Sequence, residues 1–331
     1  IALAAIFAIV GLSLNVIMGY AGQVSLGHHA FVGLAAFVSA RVVSESGQSF
    51  WIGLAAAVLS GAASAGILGV VALRIKGLYL ALITLAYGFV AVNSLFEIPS
   101  FTGGGAGMSA PRPAGFESDR AFAYLCLAFL ALTLFVDWRL LRTKVGRAIL
   151  SLKHSESVAG SYGINVTLYK VMAFVLSGAL AGLAGSLFAH RVTTVVSADF
   201  TFQSALLWVL MVVVGGLGSR TGVVIGSAFF ALFEYLVELI DPVTRFLEDN
   251  LNRNASELTL VIGPLLALLT IIQFPGGIAE QISPLTRWLS GQRFSLHHAG
   301  GRRHGPQAGR RALRARLSSL TGRAHKEEES R

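Results

Sequence analysis

The sequence predicts an all-α, polytopic integral membrane helix bundle, and three observations carry that prediction. Only 13% of the 331 residues are charged, against about 25% in a soluble domain, and the mean hydropathy is +0.68. Nine apolar runs approach the ~20 residues needed to cross ~30 Å of hydrocarbon. Small residues recur at the spacing that lets membrane helices pack backbone to backbone: Gly61 to Ala65, Gly178 to Gly182, Gly182 to Gly185 and Gly222 to Gly226.

The first run, 2–18, lies in IALAAIFAIVGLSLNVIMGY, which has no initiator Met, no basic n-region and no small-residue cleavage site. It reads as the start of a chain whose natural N-terminus has been trimmed. The next runs are 29–43, 51–73, 77–97 and 120–137, followed by 169–189, 203–217, 222–240 and 257–273. Those at 29–43 and 203–217 are short and flanked by glycine, as a half-helix or a strongly tilted helix would be. Cys126, the single cysteine, sits inside an apolar run, which excludes a disulfide framework and a cysteine metal site.

Orientation follows from the Lys/Arg content of short loops. Arg74 and Lys76 mark one connection, and Arg139, Arg142, Lys144, Arg147, Lys153 and Lys170 mark another on the same side, which is therefore the cytoplasm. The loops at 98–119 and 241–256 then face outward. Residue 1 also lands outside, so nine crossings become ten if one preceding helix is restored. Residues 1–290 form the transmembrane domain. Residues 291–331 hold ten Lys/Arg and three Glu, a balance of +7 out of the chain's +9, without a sustained apolar face. They read as a disordered cytoplasmic tail. A sharper reading has the ALRARLSSL portion lying on anionic lipid or binding RNA, but no aromatic residues interleave with the arginines for base stacking, so the disordered tail is preferred, and of the two the lipid bilayer, not a nucleic acid, counts as a partner of the chain.

Four segments hold the candidate chemistry. In GYAGQVSLG (19–27), glycines alternate with Gln23 and Ser25, which predicts a broken backbone. Such backbone is tolerated in a bilayer only where protein or a water-filled cavity satisfies it. Asn15, Gly22, Gln23, Ser25 and Gly27 are therefore candidates for a translocation path, with plain interhelical hydrogen bonding as the alternative. In TGGGAGM (102–108), Gly103, Gly104 and Gly105 cannot hold one rigid conformation, which suits an outer gate, a contact for a delivery protein, or a flexible loop.

In GRAILSLKHSESVAGSYGINV (146–166), Ile149, Leu152, Glu156, Ala159 and Gly163 recur at helical spacing, giving one face of a short surface helix. That face suits a groove on a soluble partner, or alternatively lipid headgroups. GGLGSRTG (215–222) is a tight turn whose Arg220 can touch a partner or phospholipid; lacking a lysine after its glycines, it is no phosphate-cradling loop.

No G-x-x-x-x-G-K-[ST] occurs, so the chain is not itself an ATP-hydrolysing enzyme, and transport energy comes from a separate subunit or an ion gradient. Glu234, one turn before Glu238, is the residue on which an ion-coupled secondary transporter would depend. His28 and His29 are adjacent, point to different helix faces and make a poor metal pair.

The 146–166 segment resembles the cytoplasmic loop by which ABC importer permeases dock their ATPase, with Glu156, Ala159 and Gly163 in a stretched Glu-Ala-Ala…Gly pattern. With LSLNVIMGYAGQVSLGHHAF (12–31), KGLYLALITLAYG (76–88), TGGGAGM and VVVGGLGSRTGVVIGSAF (212–229), the chain is similar to branched-chain amino acid ABC transporter permeases of the LivM type over nearly all of 1–275. The resemblance implies a permease subunit in the bacterial plasma membrane, with a cytoplasmic C-terminus. It implies a related second permease, two cytoplasmic P-loop ATPases that bind the ATP and Mg, and an extracytoplasmic substrate-binding protein. No cofactor is expected in this chain. The cargo would be a branched-chain or other hydrophobic amino acid, or urea, a short amide or an aromatic acid, which relatives of this class carry.

Overall fold

The computed structural model describes residues 1–75 and 77–239. The ninth apolar run, the 241–256 loop, the basic tail and Lys76 lie outside the described residues, as do the side chains of Glu234 and Glu238. Helix α1 (Ala2–Leu14) continues through a wide turn at Asn15–Tyr20, where five residues instead of four separate the hydrogen-bonded groups. The remaining helices are α2 (His28–Ser44), α3 (Phe50–Val71), α4 (Leu78–Val90, extended by a wide turn to Leu95), a short α5 (Pro99–Thr102) and α6 (Asp119–Arg142). Then come α7 (Lys144–His154), α8 (Glu156–Ser161), α9 (Val166–Val192), α10 (Phe202–Gly215) and α11 (Arg220–Leu239).

Five of these helices are long and apolar enough to cross a membrane, α1 and α4 being counted with their extensions. Three shorter apolar helices occupy the runs expected at 29–43, 203–217 and 222–240. The ends are set by local chemistry. Ser118, Thr143, Ser155, Asn165 and Thr201 each stand just before a helix and accept from a backbone N–H three residues on, at 3.1–3.3 Å.

The element through which the bundle is organised is α1, whose span is 78% buried, whereas the spans of α4 and α6 are 28% buried each. Leu78, Tyr79, Leu82 and Phe89 on α4 and Tyr124, Leu132 and Phe135 on α6 stay exposed, the surface a lipid phase would cover. Closest packing lies between α3, α9 and α2, and the glycine spacings explain it. Side-chain atoms at Gly61 and Gly178 would strike each other's carbonyl oxygens, one at Gly182 would strike Ala57 O, and one at Gly185 would strike Val32 O. The fourth spacing acts between α10 and α11, where Gly226 sits against Met211 O.

At one end of α9, a two-residue strand β1 (Met108–Ser109) pairs antiparallel with β2 (Thr194–Val195). The glycine run just before β1, expected to lack a fixed conformation, is built into defined turns. Gly103 takes the left-handed cap of α5 at φ 76°, and Gly104–Ala106 form a single tight turn. Glycine supplies the positive φ these caps require, so its freedom is used to specify shape. Nearby, His190 contacts Pro111 O at 2.6 Å and Ser39 Oγ at 3.2 Å. Asp199 accepts from Val196 N at 3.0 Å, and partial burial pushes its carboxyl above the usual carboxylate range against the pull of that bond.

Candidate functional site

The opposite end of α9 carries the polar junction. Beyond Tyr20 the helical ladder stops and residues 21–27 run irregularly to α2, as the glycine and polar pattern predicts. The last carbonyls of a helix need donors from elsewhere, and here the 144–161 loop supplies one. Lys153 Nζ donates to Gly19 O at 2.8 Å. Gly218 N, in the turn between α10 and α11, donates to Asn15 Oδ1 at 2.8 Å, and that oxygen fills the space a side chain on Gly19 would need. Gly22 adopts φ +67° and faces Lys153 so closely that a Cβ would sit 3.2 Å from its Cα.

A second contact lies three residues on from Lys153. Glu156 Oε1 accepts from Lys170 Nζ at 2.7 Å and from Gln23 Nε2 at 3.4 Å. With the Lys170 side chain 1% exposed and that of Glu156 16%, this is an interior ion pair, not a solvated surface one. A third group closes the junction: Tyr20 Oη donates to Asp137 Oδ2 at 3.1 Å, and Arg220 pairs with the same oxygen. Arg220, expected to reach a partner or phospholipid, is thus turned inward.

The structure therefore brings the expected path residues and the loop segment together, through Gly22 against Lys153 and Gln23 against Glu156. Asn15, Gln23, Ser25 and Gly27 are buried, while Gly22 is exposed. Leu26 N donates to Thr84 Oγ1 at 2.9 Å, and Gly27 lies so close to Thr84 O that no side chain fits. Ser25 Oγ and Asn15 Nδ2 are buried without a hydrogen-bond partner among the described residues. Gly103, Gly104 and Gly105 are not part of this junction; their turn precedes the β-pair at the other end of α9, roughly 40 Å away at 1.5 Å per helical residue.

Two sequence expectations for the loop need correction. The 146–166 segment is not one helix. It breaks at Ser155, whose extended backbone and side-chain cap end α7 and start α8. Nor does the stripe face outward: Ile149, Leu152 and Ala159 are at most 3% exposed, and Glu156 is turned to Lys170, which leaves only Gly163 on the surface. Ile149 packs with Val16, Tyr20, Ala21 and Ala173. An apolar stripe on a surface helix is covered by whatever apolar surface is nearest, and the end of α1 is nearest. The outward face consists of Ser157, Val158, Ser161 and Tyr162, with Val158 53% and Tyr162 82% exposed.

His28 Nε2 shares a hydrogen bond of 2.7 Å with Ser13 Oγ, and His29 packs against Gly88. Among the described residues no cluster of His, Cys, Asp or Glu has the makings of a metal site. The residues sequence reasoning missed are Tyr20 and Asp137, although an acid inside the apolar helix AFAYLCLAFLALTLFVDW was a readable signal.

A family model described as "Branched-chain amino acid transport system / permease component" matches residues 1–268. The chain is 33% identical over 315 residues to the high-affinity branched-chain amino acid transport system permease protein LivM of Salmonella typhimurium, covering 87% of this chain and 71% of that protein. It is 34% identical over 260 residues to LivM of Escherichia coli K12, covering 70% of this chain and 61% of the relative. It is also 28% identical over 149 residues to the permease protein LivH of Salmonella typhimurium, covering 44% of this chain and 46% of LivH. No solved structure matches.

Proposed function

We propose, for a chain that belongs to the branched-chain amino acid transport system permease family, that it is the membrane-spanning permease subunit of a bacterial ABC importer. Its cargo is a branched-chain or other hydrophobic amino acid, and its energy comes from ATP bound with Mg by two separate P-loop ATPases. A related permease completes the path, as the likeness to both LivM and LivH supports, and an extracytoplasmic binding protein delivers substrate. The C-terminus is cytoplasmic.

The observation that carries this reading is the direct attachment of the 144–161 loop to the end of the first helix and to the break after it, through Lys153 to Gly19 and Glu156 to Gln23. A loop gripped in this way transmits a push from a soluble partner into the bundle. The partner meets the outward face at Ser157, Val158, Ser161, Tyr162 and Gly163. The path runs past Asn15, Gly22, Gln23, Ser25 and Gly27, and Gly103, Gly104 and Gly105 gate its outer end. A path for an apolar cargo needs few charges, since a weak site lets substrate leave.

Co-purification from native membrane in mild detergent tests the reading. Wild type should bring down a P-loop ATPase and a related permease, and Val158→Arg combined with Tyr162→Ala should reduce the ATPase on the order of tenfold, because exposed aromatic anchors carry much of an interface's energy. A wild type that retains no ATPase even after cross-linking overturns it, and uptake by Glu234→Gln would then decide for the ion-coupled alternative.

A further inference from the structure

We infer that Lys153 and Glu156 form a latch that carries movement of α7 and α8 into the backbone break after α1, an inference that rests on the importer reading above. Both residues are positioning residues: neither needs to touch substrate or partner. Their two contacts straddle the extended break at Ser155, so the junction of α7 and α8 is held to the end of α1 at two points. Lys153 supplies the donor for Gly19 O within the last turn of the wide-turn segment. Glu156 joins Gln23 of the break to Lys170 of α9 through one oxygen.

What the latch grips is the deformable part of the bundle. A wide turn holds one residue more than an α-turn and can be shifted along a helix by local rearrangement. It ends at Tyr20 and is followed, after Ala21, by Gly22 at positive φ, so the break can change conformation without unwinding the apolar body of α1. The aliphatic stripe of α7 could slide against Val16 and Ala21, but directional contacts at Gly19 O and Gln23 cannot slide without breaking. Displacement of the loop is therefore passed on to residues 19–23.

The test uses the whole complex, purified with its ATPases and reconstituted, and needs no knowledge of the cargo. Val24 lies in the break and is 41% exposed, whereas the native Cys126 is buried, so Val24→Cys gives a thiol reactive to maleimide. In this parent, trapping nucleotide with vanadate should change the labelling rate on the order of tenfold, a typical coupling between sites. Lys153→Met and Glu156→Leu, which remove the donor to Gly19 O and the acceptor for Gln23, should abolish that change while the ATPases stay bound and hydrolyse ATP. The charge exchange Glu156→Lys with Lys170→Glu should restore it, which a general loss of folding would not allow.

The latch is overturned if the labelling of Val24→Cys ignores nucleotide in the parent, or if the single variants keep the full response. If instead the Glu156 variants lose the ATPases and the exchange does not restore them, Glu156 is a partner contact; the latch falls and the importer reading stands. A parent that binds no ATPase overturns both.

Discussion

Gly178→Leu should leave the protein unable to close α3 against α9, destabilising the bundle by about 3 kcal/mol, the upper end of what overpacking typically costs. The obstacle is backbone on both sides. A side chain at Gly178 meets Gly61 O and Ala65 Cβ, and one at Gly61 meets Gly178 O. Neither carbonyl can rotate away as a flexible side chain would. In a membrane, lipid tails are as apolar as the helix surfaces, so close packing supplies most of the association energy and nothing replaces it once the helices are held apart. Gly61→Leu should do comparable damage, and the pair should cost less than the sum of the two because both variants wedge open the same contact. Gly105→Ala, where a side chain meets open space, is the control and should be near neutral. Thermal unfolding in detergent, read by loss of the monodisperse fraction, checks the series. A Gly178→Leu protein as stable as wild type would show that the α3–α9 approach is looser than described.

The second large effect is expected at Asp137. Its side chain is fully buried and joins Tyr20 and Arg220 at one oxygen. Asp137→Leu removes the acceptor that Tyr20 Oη uses among the described residues and leaves the Arg220 guanidinium, 29% exposed, without its counter-charge. Breaking one half of such a buried pair costs about 3–5 kcal/mol. The position of Arg220 adds to the penalty, because it opens α11 and a cation at a helix N-terminus opposes the helix dipole. The combined Asp137→Leu and Arg220→Leu variant should therefore recover most of the loss, since two apolar groups desolvate without a stranded charge. Tyr20→Phe should cost only about 1.5–3 kcal/mol, the range for a hydrogen bond to a charged group. Chemical or thermal denaturation of the four proteins in one detergent decides the ranking. With Arg220→Leu measured beside them, a double variant as damaging as Asp137→Leu and Arg220→Leu added together would mean that Asp137 and Arg220 do not act as one unit.

How far the sequence foretold these features depends on the range of the interaction. Eight apolar runs were legible because hydropathy over ~20 residues is a local property, and each matches a helix. The four small-residue spacings were legible as packing sites, and every one of them proved to be a close approach. The break at 21–27 was also legible, since Gly19, Gly22 and Gly27 beside Gln23 and Ser25 suit neither a helix nor a lipid-facing strand. The loop stripe at Ile149, Leu152, Glu156 and Ala159 was half legible. Periodicity says which residues share a face, but not whether that face meets a partner or the chain's own body. The start of α8 was overlooked despite its signal, a serine in the N-cap position, Ser155, with the acidic Glu156 in the first turn. Contacts across distance stayed out of reach: Tyr20 and Asp137 are 117 residues apart, and Asn15 and Gly218 are 203 apart. No local pattern marks such pairs as neighbours.

The burial of α1 has a consequence for how the protein is made. Its partners in the bundle are α6, α9, α10 and α11, all synthesised after it. At a translation rate of about 5–20 residues/s, Gly218 emerges roughly 10–40 s after Asn15. Through that interval the most enclosed of the five long described spans stands in lipid with Asn15 and Ser13 uncovered. Its mean hydropathy of 2.2 is high enough to keep it inserted meanwhile, so the greasiness of α1 serves biogenesis before it serves the finished core.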